Sequence, residues 1–301
     1  MRVFVTGASG HIGSALLPEL IDAGHEVTGL ARSDASAAKV AKAGAAVHRG
    51  TINDPETFAG AAAAADGVIH LAFDHEAMMA GDMEAAVATE ARVLEMYDRV
   101  LAGTGKALVP ASGTLMVAGL GRPGTEEDAP TLPGRAELEN VVIALADRGV
   151  RSSAVRLPPV VHSDIDGSGG FIPMLIPIAR AKGVSAYVGD GANRWPAGHT
   201  RDAARLFRLA VEKAPAGSRL HAAGELGIPF REIAETIGKN LGVPAVSIAA
   251  DEAEEHFSGF LGQAVQADNP VSIDKTRVLL GWEPTHPGLI DDLNAGHYFT
   301  A

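Results

Sequence analysis

Residues 3–34 read VFVTGASGHIGSALLPELIDAGHEVTGLARSD. A short apolar run, Val3 to Val5, gives way to three glycines and a helix-period pattern; a second apolar run ends at Ala31. The order is strand, turn, helix, strand. In that setting Gly7 permits the tight turn, Gly10 lets the backbone approach a pyrophosphate, and Gly13 lets the helix pack close to the strand. The first helical turn presents free N–H groups and a partial positive charge. Gly7, Ser9, Gly10, His11, Ile12 and Gly13 are therefore candidate dinucleotide-binding residues.

The end of the second strand selects the cofactor. A carboxylate there binds the ribose hydroxyls of NAD(H) and repels a 2′-phosphate. Here Ala31 is followed by Arg32 and Ser33, a cation and a hydroxyl suited to a 2′-phosphate through charge-assisted hydrogen bonds. The expectation is NADP(H) rather than NAD(H). Asp34 lies further on, where it suits the cap of the next helix.

Outward from this unit, apolar runs at Ala45–His48, Val68–Ala72, Ala107–Ala111 and Ser152–Leu157 alternate with amphipathic stretches at 34–43, 55–65, 83–102 and 135–148. This alternation predicts an α/β fold, a Rossmann-type doubly wound parallel sheet. Pro18 predicts an early kink in the first helix. After Pro159 the pattern loosens into helices at 172–182, 201–213, 230–241 and 275–280, with short strands at Ser185–Val188, Arg219–Ala222 and Val246–Ile248. The reading is a dinucleotide-binding part mainly over 1–159 and a smaller substrate lobe mainly over 160–301, interleaved with the sheet.

Composition narrows the partners. A net charge of −12 with no basic block argues against nucleic acid, because phosphate binding needs clustered Lys and Arg. The runs AGAAAAA (59–65) and FIPMLIPIA (171–179) are too short to span a bilayer. Met1 leads straight into RVFVTG, so no signal peptide is expected and the expected setting is cytoplasmic. Zero cysteines exclude disulfides, a thiolate nucleophile and thiolate metal sites. No two histidines have metal-ligand spacing on one helix, so no metal site is expected.

Seven stretches carry a family likeness: TGASGHIG (6–13), GTINDPETF (50–58), VIHLAF (68–73), VPASGTLMVAG (109–119), AVRLPPVV (154–161), GDGANRWPAGHTRDAARLF (189–207) and LLGWEPTHPGLIDDL (279–293). Through them the chain resembles the short-chain dehydrogenase/reductase superfamily, in its extended, epimerase/dehydratase-like branch. The resemblance implies that Thr51 and Ile52 lie beside the adenine, with Thr51 where the family usually has an acid. It implies that Leu71, Ala72 and Phe73 line the cofactor, and that the backbone of Leu157, Pro158 and Pro159 touches the nicotinamide beside Ser112. It also implies a small-molecule substrate and leaves room for a homodimer.

In that superfamily a tyrosine moves the proton, and a lysine four residues later lowers its pKa and holds the ribose. Here RAELE (135–139) puts Arg135 and Glu139 at about those places, and no tyrosine lies between Tyr97 and Tyr187. Arginine cannot be deprotonated, and a glutamate does not replace a lysine's charge. The two read as surface residues, or Arg135 as the holder of an anionic part of the substrate. Ser112 and Thr114, at a central strand's C-terminal end, and His75, past another, are the catalytic candidates. His162 and His199 are expected near the cleft rim, and Tyr187 reads as a strand residue packed in the core, with reach into the cleft as the alternative. Glu76, Glu90 and the run TEEDAP (125–130) read as solvated charges, Phe171, Met174 and Trp195 as pocket lining or core, and DIDGSGG (164–170) as a lid loop.

Two functions of different kinds are compatible with these residues. One is an NADP(H)-dependent reductase of a small or medium carbonyl-type substrate with a non-standard proton donor. The other is an NADP(H)-binding sensor without turnover. Epimerase or dehydratase chemistry is a third course for the same cofactor.

Overall fold

The computed structural model describes residues 1–131, 134–165 and 170–300. The loop expected to serve as a lid falls largely on residues 166–169, outside the described residues. In the first half β1 (Arg2–Thr6), α1 (His11–Asp22), β2 (Glu26–Ala31), α2 (Asp34–Lys42), β3 (Ala46–Arg49), α3 (Glu56–Ala64), β4 (Gly67–His70), α4 (His75–Met79), α5 (Met83–Leu101), β5 (Ala107–Gly113), α6 (Arg135–Ala144) and β6 (Arg151–Leu157) alternate. The second half holds β7 (Val160–His162), α7 (Phe171–Lys182), β8 (Ser185–Val188), β9 (Arg194–His199), α8 (Thr200–Lys213), β10 (Ser218–His221), β11 (Glu225–Pro229), α9 (Phe230–Leu241), β12 (Ala245–Ile248), α10 (Ala253–Phe257), α11 (Gly259–Ala264), α12 (Asp274–Leu280) and α13 (Leu289–Asn294).

The main sheet has seven strands in the order β10-β6-β5-β4-β1-β2-β3, all parallel. The order reverses between β1 and β4, and the crevice outside the strand ends at such a switch point is where open α/β sheets bind ligands. Both faces are covered, which is why Val3, Phe4, Val5, Val68 and Ile69 are apolar without alternation. On one face Leu16, Leu17 and Leu20 of α1 meet Ala203, Leu206 and Phe207 of α8. On the other, Phe58, Val93, Tyr97 and Val142 form a second core.

Several expectations are revised. The strand expected in the smaller lobe at 219–222 is β10, the seventh strand of the main sheet, paired with β6. With α8 it brings later sequence back to the first half. α1 runs unbroken through Pro18. The small lobe adds β11-β9-β7 and the pair β12-β8. Trp195, Phe230, Ile233 and Leu261 fill its core, with Phe171 and Met174 packed against them, so the aromatic positions left open as pocket or core are core. Tyr187 packs there too, the core strand position expected of it. Among the described residues no helix is long and apolar enough to cross a membrane.

Candidate active site

The glycines of the β1–α1 turn divide by what surrounds them. Gly7 has φ +65°, and a Cβ there would lie 2.8 Å from the Ala72 nitrogen, so only glycine lets the turn pass under the end of β4. A Cβ on Gly13 would lie 2.3 Å from the Gly7 oxygen and 2.6 Å from the Ala8 oxygen. Gly10 differs: it is exposed, and a Cβ would meet only the Gly7 oxygen, at 3.2 Å. Gly10 also caps α1 with no side chain and no acid in the first turn, which leaves the leading N–H groups without an acceptor from a cap. Gly7 and Gly13 are closed by protein, while Gly10 opens on the space a pyrophosphate would take. The residues present fit a dinucleotide. Of the other cradle residues, Ser9 and Ile12 are half-buried, and the His11 Nε2 bonds Thr200 Oγ1 at 2.7 Å, tying the cradle to α8.

At the adenosine end β2 ends on Ala31 and is followed directly by Arg32 and Ser33, not by a carboxylate. Arg32 is exposed and pairs with Glu76 at 2.7 Å. Ser33 is the N-cap of α2, its Oγ accepting the Ser36 N–H, so this hydroxyl is engaged and Asp34 is one residue inside the helix rather than at its cap. Thr51 and Ile52 lie half-buried in the turn before α3. Leu71, Ala72 and Phe73 follow β4, held to β1 by the Ala72 N–H on Thr6 Oγ1 at 3.3 Å. Leu157, Pro158 and Pro159 follow β6.

The wall where a tyrosine was expected is built by α5, α6 and the end of β5. Its cleft is lined by Glu90, Ser112, Met116, Arg135, Leu138 and Glu139. Ser112 donates its hydroxyl proton to Glu139 Oε2 at 2.5 Å. Glu139, far from being a surface residue, is buried in a network: Arg156 reaches it through Nε at 2.9 Å and Nη2 at 2.6 Å, and Arg219 Nε at 2.8 Å. Arg156 spends its other donors on the Thr125 and Asp128 carbonyls and on His221 Nε2. The Ser272 carbonyl can only accept, so His221 Nδ1 carries the proton and Nε2 is the acceptor for Arg156. Burial alone would raise the Glu139 pKa, but the Arg156 hydrogen bonds and charge, with Ser112 and Arg219, hold it below the usual range.

Arg135 lies one turn earlier. Its guanidinium carbon sits 4.0 Å over the Phe73 ring, and its Nε is 3.3 Å from Glu90 Oε2. Glu90 is buried, not solvated as expected, and burial raises its pKa against the pull of Arg135. Glu126 in TEEDAP is also buried, accepting from the Thr276 N–H and hydroxyl at 2.8 and 2.7 Å.

The proposed catalytic residues do not converge. Thr114 is fully buried and donates to Asn269 Oδ1 at 2.7 Å, a clamp rather than a substrate contact. Ser112 lines the cleft with its hydroxyl already donating a hydrogen bond to Glu139. His75 stands edge-on to Phe73 with ring centres 5.4 Å apart; partial burial and the Arg135 charge lower its pKa, which works against its use as an acid. His162 and His199 are buried in a cluster, not on a rim: His162 Nδ1 bonds Asp292 at 2.8 Å, and His199 stacks on His286 at 4.4 Å. Among the described residues no group of three or more His, Asp or Glu side chains could hold a metal ion.

Sequence reasoning missed Glu90 and the burial of Glu139. The signal was there. Ala86, Glu90, Val93, Tyr97 and Leu101 share the buried stripe of α5, and Ala136, Glu139 and Val142 that of α6.

A family model described as "NAD dependent epimerase/dehydratase family" matches residues 3–222. The chain belongs to the NAD dependent epimerase/dehydratase family. It is 47% identical to an uncharacterized protein of Schizosaccharomyces pombe over 99% of this chain and 100% of that one. It is 28% identical to the 2-alkyl-3-oxoalkanoate reductase of Stenotrophomonas maltophilia over 83% of this chain and 78% of the other. Its fold matches the dTDP-glucose 4,6-dehydratase of Streptomyces venezuelae, a structure with NAD bound, with a TM-score of 0.75, 21% identity and coverage of 99% and 96%.

Proposed function

We propose that this family member is an NADP(H)-dependent oxidoreductase that reduces a small or medium carbonyl-type substrate. The observation that carries the reading is the open face at Gly10, at the same sheet edge as the cleft walled by Ser112 and Arg135. A reduced nicotinamide bound there supplies a hydride. The chain's part is to hold the pyrophosphate on the first turn of α1, to line the cofactor with Leu71, Ala72 and Phe73, and to exclude water. Arg32 and the missing carboxylate after β2 support NADP(H), Glu76 being the competitor that a 2′-phosphate has to displace. The reductase-named relative supports the reaction class. Setting a hydride donor beside its acceptor supplies much of the rate by proximity, so the loss of tyrosine does not forbid reduction.

A second reading, a dinucleotide-binding sensor without turnover, is favoured by one observation: Ser112 has no proton free for a carbonyl. Calorimetric titration with NADPH and NADH, followed by NADPH oxidation over ketones, aldehydes and imines from about pH 5 to 9, separates the two. Tight binding with oxidation by a carbonyl supports the reductase. Tight binding with no oxidation by any member supports the sensor.

A further inference from the structure

The Arg135–Glu90 contact joins a part-exposed arginine to a buried glutamate. Arg135 Nε and Glu90 Oε2 are 3.3 Å apart, yet both atoms are buried without a hydrogen-bond partner. Arg135 forms no hydrogen bond with any described residue; its contacts are this pair and the Phe73 ring. A guanidinium seated over a ring still offers its planar fork of donors, the shape that reads a carboxylate. We infer that Arg135 receives a carboxylate of the substrate, and that Glu90 takes up a proton as it binds. Calling that ligand a substrate rests on the reductase reading; its carboxylate rests on the pair alone.

The charges around Glu90 are few. α6 presents Arg135 and Glu139, and β5 presents the Ser112 hydroxyl. His70 of β4 and His75 of α4 are both pushed toward their neutral forms by burial and by the Arg135 charge. Glu139 is held ionised by Arg156 and Arg219. A second carboxylate on Arg135 makes two anions share one cation, and Glu90 is the one whose charge is held by Arg135 alone. Burial already favours its protonated form. Protonated Glu90 then holds, on a buried oxygen in the cleft wall, the proton a carbonyl oxygen needs when its carbon is reduced. That is the role the absent tyrosine leaves open.

The test is calorimetry on the full chain saturated with oxidised dinucleotide, at pH 7 in buffers of differing ionisation enthalpy. The probes are 3-oxobutanoate, 3-oxooctanoate and benzoylacetate, each against its methyl ester. At least one acid is expected to bind about 10–100-fold tighter than its ester, the scale of a charge-assisted hydrogen bond. That binding takes up close to one proton. Arg135→Gln removes the preference. Glu90→Gln, nearly isosteric, keeps the acid at equal or higher affinity and removes the proton uptake, so it decides the matter even if Arg135→Gln does not fold. Equal binding of every acid and ester, no binding at all, or proton uptake that survives Glu90→Gln overturns the inference. NADPH oxidation is scored separately. Acids that bind with proton uptake but oxidise no NADPH leave the carboxylate site standing and remove the reductase. Esters reduced as well as acids do the reverse.

Discussion

α6 carries two arginine–glutamate contacts one turn apart, and they are opposites. Glu139 is saturated by Arg156, Arg219 and Ser112, and Arg156 has every donor nitrogen in use. Arg135 and Glu90 face each other with their buried atoms unbonded. The cradle repeats the contrast, with Gly13 closed by backbone oxygens and Gly10 open. In both places the group whose partners are all within the protein serves architecture, and the group left short of partners is the one proposed to face a ligand.

The largest expected effect is on the closed pair. Glu139→Gln strands the fully buried Arg156 charge, and is expected to lower the unfolding free energy by about 3–5 kcal/mol in urea titration. Arg135→Gln is expected to stay within about 1 kcal/mol of the parent, because its pair is part-exposed. Equal losses would erase the distinction between the pairs.

The glycines give the next effect. Gly13→Ala is expected to cost about 1–3 kcal/mol of stability by overpacking. Gly10→Val is expected to leave thermal unfolding near the parent's and to abolish dinucleotide binding in calorimetry, since its side chain takes the pyrophosphate's space. Full NADPH affinity in Gly10→Val would place the cradle elsewhere.

Arg32→Ala is expected to weaken NADPH by about 1–3 kcal/mol and leave NADH nearly unchanged. Tighter NADH than NADPH binding by the parent chain would refute the cofactor choice.

The smallest steps are in the pH dependence. Burial lowers His11 and His199 from 6.5 to about 4, in each case with help from nearby histidine charge. The unfolded chain therefore binds protons that the folded chain refuses, and stability falls as pH drops from 6.5 toward 4. Glu139, held low, keeps its contribution until pH falls through its depressed pKa, so the histidines give way first. Melting temperatures that are flat between pH 7 and 4 would contradict this.

The sequence was most legible where backbone chemistry is local. The turn at Gly7 to Gly13, the strands before it and after it, and the apolar stripes of α1 and α5 follow from period and glycine placement. β9 was not legible, because Pro196 and Gly198 interrupt its pattern and pairing with β7 and β11 makes it a strand. Of the candidate site, the glycine turn was legible in the sequence and the buried network around Glu139 was not. Glu139 meets Arg219 across 80 positions, a contact no local pattern announces. Thr114 was assigned by its strand-end position, while its partner Asn269 lies 155 residues away.

The most direct test of the oxidoreductase reading is the fate of hydrogen from reduced dinucleotide labelled with deuterium at C4. The labelled cofactor is incubated with the chain and the carbonyl panel, and products are read by mass spectrometry. The expected result is an alcohol with one deuterium on the former carbonyl carbon and oxidised cofactor in equal amount. Tightly bound cofactor recovered with its label intact, and no labelled product from any panel member, would contradict it.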